Sequence, residues 1–139
     1  MAMTLISDVL FPPADYRRTT YSLLTWWESR RLTYNICVGG AGMFTLVILR
    51  LISWLPPGVP MMWDWRPIAA YALMANACYS FGALLEIVAQ RVWKEKAPAM
   101  GPALFRQGLA FSVGLTLLPI LIFSVAWLVR AGAWLMGAL

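Results

Sequence analysis

Residues 67–90, PIAAYALMANACYSFGALLEIVAQ, form an apolar run interrupted by Asn76, Tyr79, Ser80 and Glu86. As a helix its 24 residues would extend about 36 Å, enough to cross a bilayer core of roughly 30 Å. At about 100° per residue, Ala69, Ala72, Asn76, Tyr79, Ser80, Ala83, Glu86 and Gln90 gather on one side. Met74, Phe81, Leu84, Leu85 and Val88 occupy the other. Hydrocarbon cannot satisfy an amide, a hydroxyl or a carboxyl, so the polar side is expected to meet protein and the bulky side lipid. A chain with this run is expected to be a multi-pass membrane protein whose helices pack on a small-and-polar seam.

Two further runs share that character. Residues 35–55, NICVGGAGMFTLVILRLISWL, place Asn35, Gly39, Gly42, Leu46 and Ser53 on one face, and the glycines would let a second backbone approach closely. Pro56-Pro57-Gly58-Val59-Pro60 ends that run. Residues 103–129, ALFRQGLAFSVGLTLLPILIFSVAWLV, bring Gly108, Ser112, Thr116, Pro119 and Ala126 to a common face. Pro119 removes one intrahelical hydrogen bond, and a kink is expected there. The expected fold class is therefore all-α: a three-span transmembrane helix bundle over residues 35–139, preceded by an N-terminal segment, 1–34. No internal repeat appears, and an odd number of spans argues against a simple inverted pair.

Composition supports hydrocarbon over water. The chain is 61% hydrophobic and 12% charged, against about 45–50% and 25% in soluble domains. At 139 residues it has too few charges to cover its surface in water. The net charge of +5 could suggest nucleic acid, but the basic residues cluster at the ends of apolar runs, so no nucleic-acid partner is expected. Arg17, Arg18, Arg30, Arg31, Arg91, Lys94, Lys96 and Arg106 fall on one side of the three spans, and Arg50, Arg66 and Arg130 on the other. The positive-inside rule then predicts a cytoplasmic N-terminus and an outside C-terminus.

The N-terminal segment has no basic stretch before its first apolar residues and no small-residue cleavage site, so it does not read as a signal peptide. Residues 19–34, TTYSLLTWWESRRLTY, suit an interfacial amphipathic helix or the aqueous foot of the first span. In either form Trp26 and Trp27 are expected at headgroup depth, as interface anchors alongside Trp54, Trp63, Trp65 and Trp93. Cys37 and Cys78 lie at different depths and are expected to be unpaired. The absence of histidine removes imidazole ligation of haem or chlorophyll and a Ser-His-Asp triad. No cofactor is expected; a bound lipid is compatible with everything above.

Glu86 is the only acidic residue inside one of the three runs, which makes it the first functional candidate. Its position about one turn from Arg91 predicts an ion pair with Arg30, Arg31 or Arg106. Asn76 is expected to hydrogen-bond across a helix interface, with Tyr79 and Ser80 extending the seam. Function is expected to be non-enzymatic association with other membrane subunits or with itself. The alternative is a small oligomeric ion channel or transporter lined by Asn76, Ser80 and Glu86. A lipid-modifying enzyme is a third reading, because bacterial diacylglycerol kinase has a similar plan. The chain lacks that family's paired intramembrane acidic motif, and one carboxylate is poorly suited to phosphoryl transfer with Mg²⁺.

Two phrases carry a resemblance. Residues 26–35, WWESRRLTYN, and residues 76–86, NACYSFGALLE, resemble a W-E-x-R-R-L-x-Y-N segment and an N-x-C-Y-x-x-G-x-x-x-E segment of small uncharacterised bacterial membrane proteins. The likeness covers the first two spans and implies a multi-pass bacterial protein. It also marks Arg31, Asn35, Asn76, Tyr79 and Glu86 as one cluster to test.

Overall fold

A computed structural model describes residues 19–59, 64–93 and 100–137. These residues form three helices: α1 (Thr20–Trp54), α2 (Arg66–Trp93) and α3 (Gly101–Leu135). At 1.5 Å per residue they extend about 52, 42 and 52 Å, and each is long and apolar enough to cross a membrane. No strand occurs among the described residues. The expected all-α, three-span bundle is the observed architecture, and the chain is by build a multi-pass membrane protein.

Local sequence sets the helix ends. Thr19 and Ser22 form a reciprocal capping box at the start of α1, with Ser22 N–H donating to Thr19 Oγ1 at 3.2 Å. Leu55 turns to extended backbone before Pro56-Pro57, which cannot continue a helix. At the start of α2, Asp64 Oδ1 accepts from the Arg66 N–H at 2.9 Å. Pro67 lies in the first turn, where its missing N–H costs nothing. α3 begins differently: Met100 supplies no side-chain cap, and Pro102 leaves Gly101 as the terminal N–H to be satisfied. The helix then continues through Pro119 to Leu135.

α1 and α3 run parallel, with α2 antiparallel between their ends. One end is marked by Trp27, Glu86 and Gly101, which touch. Nearer the other end, Trp127 of α3 donates from its indole to the carbonyl of Leu55 at 3.2 Å. The buried core gathers toward the first end, around Trp26, Trp27, Tyr34, Val38, Ala75, Tyr79, Ala83 and Phe105. Met74, Phe81, Leu84, Leu85 and Val88 are exposed on α2, as its apolar face requires, and Leu73, Phe111, Leu121 and Val129 are exposed likewise. Water would penalise so much outward apolar surface; hydrocarbon does not.

Of the two forms expected for residues 19–34, residues 20–34 take the second: they are the foot of α1, continuous with its span, and not a separate surface helix. The expectation for Trp26 and Trp27 changes: they are not headgroup anchors, being only 9% and 2% exposed. The foot continues along the bundle axis, so its indoles meet α2 and α3 rather than lipid headgroups. Trp54, Trp65 and Trp93 are exposed at helix ends, where anchors belong, and Trp63 lies outside the described residues.

Candidate functional site

The buried face of α2 is Ala75, Tyr79, Ala83, Glu86 and Ala89, a stripe at steps of three and four residues. It brings Glu86, 4% exposed, to the point where all three helices meet. Oε2 of Glu86 accepts from the Trp27 indole N–H at 2.7 Å, and Oε1 accepts from the backbone N–H of Gly101 at 2.8 Å. The carboxylate of α2 thus caps α3, meeting both an unpartnered donor and the positive end of the helix dipole. A methyl group on Gly101 would lie 2.6 Å from Oε2, so any larger residue there would displace the carboxylate. Gly82, one turn from Glu86, faces the Trp27 ring so closely that a Cβ would sit 3.1 Å from it.

The expected ion pair between Glu86 and an arginine is replaced by these two hydrogen bonds. Arg31 instead pairs with Glu28 on its own helix at 2.7 Å and reaches Ser80 Oγ at 3.3 Å. The Arg30 guanidinium lies 3.8 Å over the Trp26 ring, and Arg106 is exposed. The physical reason is local. Arg31 finds a carboxylate one turn away, and the foot of α1 fills the space beside Glu86 with indoles.

Above the carboxylate sits an aromatic cluster. Tyr79 packs edge-on against Trp27 (5.3 Å between ring centres) and against Phe105 (6.3 Å), and its hydroxyl donates to the carbonyl of Trp27. Tyr34 shares its hydroxyl between the Ala75 carbonyl at 3.2 Å and Ser112 Oγ at 2.8 Å, joining all three helices. Further along, Tyr71 of α2 meets Thr116 Oγ1 at 2.6 Å and the Ser112 carbonyl at 3.0 Å. Thr45 of α1 donates to the Thr116 carbonyl at 2.9 Å. This ladder of hydroxyls is the real polar seam.

Several sequence candidates lie elsewhere. Asn76 is half-buried, and its amide donates to Ala72 of its own helix at 3.1 Å rather than across an interface. Ser80 is exposed, as are Asn35, Gly39 and Gly108. A Cβ on Gly39 or Gly108 would meet nothing within 4 Å, whereas Gly42 makes ordinary contact with Thr116 at 3.8 Å. Tyr79, Glu86 and Ser112 are the members of the expected seam that are buried. Asn76, Ser80 and Glu86 do not converge on one lining. Cys37 and Cys78 are free thiols.

Sequence reasoning missed Trp27, Gly82 and Gly101 at the junction and Tyr34, Thr45 and Tyr71 in the ladder. The Gly101-Pro102 pair after a charged loop was the available signal, since it marks a helix start without a capping side chain.

Asn35 and Asn76 border a groove between α1 and α2 of about 620 Å³, floored by Thr45, Thr116 and Pro119. A smaller recess of about 230 Å³ lies between α2 and α3 beside Gly82 and Gly108. No protein-family model, curated protein or solved structure matches this chain.

Proposed function

We propose that the chain is a non-enzymatic protein of the bacterial inner membrane that acts by helix–helix association. It serves as an accessory or structural subunit of a larger membrane complex, or as a homo-oligomer. The observation that carries this reading is the engagement of Glu86. Both of its oxygens are held inside the three-helix junction by Trp27 and Gly101, which supports a role for the carboxylate in the scaffold. A fixed scaffold has its outer faces available, and on those faces Gly40, Gly108, Gly114 and Gly132 have nothing within 4 Å of where a Cβ would stand. Such smooth positions favour close approach of another helix in a bilayer.

Orientation follows from charge. Arg30, Arg31, Arg91 and Arg106 fall toward the Glu86 end of the helices, and Arg50, Arg66 and Arg130 toward the other. Arg17, Arg18, Lys94 and Lys96 lie outside the described residues; chain order assigns them to the first side, and the positive-inside rule then makes the N-terminus cytoplasmic and the C-terminus outside.

Extraction in mild detergent followed by native mass spectrometry tests the association. Co-purifying polypeptides or a discrete multimer support it. A folded, stable species that stays monomeric and alone at all concentrations contradicts it.

A further inference from the structure

The groove between α1 and α2 lies outside the Glu86 junction, and its dimensions select an occupant. On α2 it runs from Pro67 to Asn76. Ten residues separate Arg66 from Asn76, about 15 Å of helix, which is half of a roughly 30 Å hydrocarbon core. Below that level the groove closes, because Tyr34 reaches the Ala75 carbonyl and packs on Tyr79 with ring centres 4.7 Å apart. Along α2 the groove therefore has about the depth of one leaflet. A partner's spanning helix needs a path through both.

Its walls fit hydrocarbon. Leu46, Leu49, Ile68, Ala72 and Met43 line it, and the hydroxyls of Thr45, Tyr71 and Thr116 are already bonded within the bundle. Its volume of about 620 Å³ falls within the usual range for small-molecule sites, about 300–1,000 Å³. Two arginines adjoin its lining residues in sequence and would complement a phosphate at its mouth. Arg50 lies within about 20° of the lining residues Gly39 and Met43 on the α1 wheel, one residue beyond Leu49. Arg66 precedes the lining residue Pro67, and both arginines are exposed. Asp64, the acidic residue nearest in sequence, is engaged with the Arg66 N–H. Arg50 also lies 5.2 Å from the centre of the Trp54 ring, which holds the cation at the interface.

We propose that this groove is a phospholipid site: one acyl chain lies between α1 and α2, and the phosphate sits at Arg50 and Arg66. The lipid comes from the leaflet that contains those two arginines. It fills the groove between the two helices and fixes their spacing.

The test uses the full chain, reconstituted in vesicles of phosphatidylglycerol and phosphatidylethanolamine, re-extracted in mild detergent and weighed by native mass spectrometry. The expected result is about one phospholipid retained per chain, as for a formed small-molecule site. Gly39→Leu with Ala72→Leu fills the groove from positions that the other helices leave uncovered, since a Cβ on Gly39 meets nothing within 4 Å and Ala72 is exposed. That pair removes the retained lipid while circular dichroism and elution volume stay unchanged. Arg50→Gln with Arg66→Gln alters exposed side chains alone and lowers retention of phosphatidylglycerol. Wild-type chain without bound phospholipid overturns the proposal, as does retention indifferent to both variant pairs. A second copy or another polypeptide released by filling the groove would make the occupant a protein and likewise overturn it. Lipid is counted separately from subunits, so a lipid-free oligomer sinks this site alone, and a lipid-bearing monomer sinks the association alone.

Discussion

The backbone N–H of Gly101 donates to Glu86 Oε1 across 2.8 Å, so the carboxylate of one helix caps the start of the next but for a short connection. That contact turns a hydrophilic side chain that lipid would reject into a joint. It also limits the size of the residue opposite.

Replacement of Gly101 by alanine is expected to destabilise the bundle by about 1–3 kcal/mol, the usual cost of overpacking a filled site. The added methyl would lie 2.6 Å from Glu86 Oε2. Gly39→Ala, made in open space, is expected to be neutral or to stabilise by up to about 1 kcal/mol through helix propensity. Unfolding of both variants in mixed micelles by increasing denaturing detergent compares the two directly.

The hydroxyl ladder makes a second, smaller contribution. Tyr34→Phe, Tyr71→Phe and Thr45→Val each remove an interhelical hydrogen bond and keep the side-chain shape. Each is expected to cost about 0.6 kcal/mol and at most about 1.7, the range found for such bonds in membranes. Tyr34→Phe should lie at the upper end, because its hydroxyl serves α2 and α3 together. Losses above that range in thermal or detergent unfolding would mean that the ladder does more than link helices.

At the foot of α1, Glu28 and Arg31 form an exposed pair at 2.7 Å. Glu28→Gln is expected to change stability by less than about 1 kcal/mol, with the effect shrinking as salt is raised. An effect of the size expected at Gly101 would place this pair in an interface with another subunit.

How much of this was legible beforehand depended on which partner a residue needed. The spans and the lipid-facing side of α2 follow from periodicity, because hydrocarbon selects Met74, Phe81, Leu84, Leu85 and Val88 without reference to any neighbour. That Glu86 meets protein follows for the same reason. Its partners do not: a backbone N–H has no letter in a sequence, and an arginine nearby looks like the better match. Trp26 and Trp27 misled because tryptophans before an apolar run have the composition of an interfacial belt. Only the inward neighbours Glu86 and Phe105 distinguish a buried indole from an anchored one. Polarity and size alone point to Asn76 and Gly39 as seam residues, whereas the buried cluster is built on Tyr34 and Tyr79. The stripe therefore passes through Ala75 and Ala89 rather than Ala72 and Ser80.

The most direct test of the account is a double-mutant cycle on Trp27 and Glu86 in a bilayer. Trp27→Phe, Glu86→Gln and the pair together are compared by unfolding free energy. A buried hydrogen bond to a carboxylate predicts a coupling of at least about 1 kcal/mol, since such bonds contribute roughly 1.5–3. Strictly additive losses, with each single variant folded, would contradict the junction as the element that holds the three helices together.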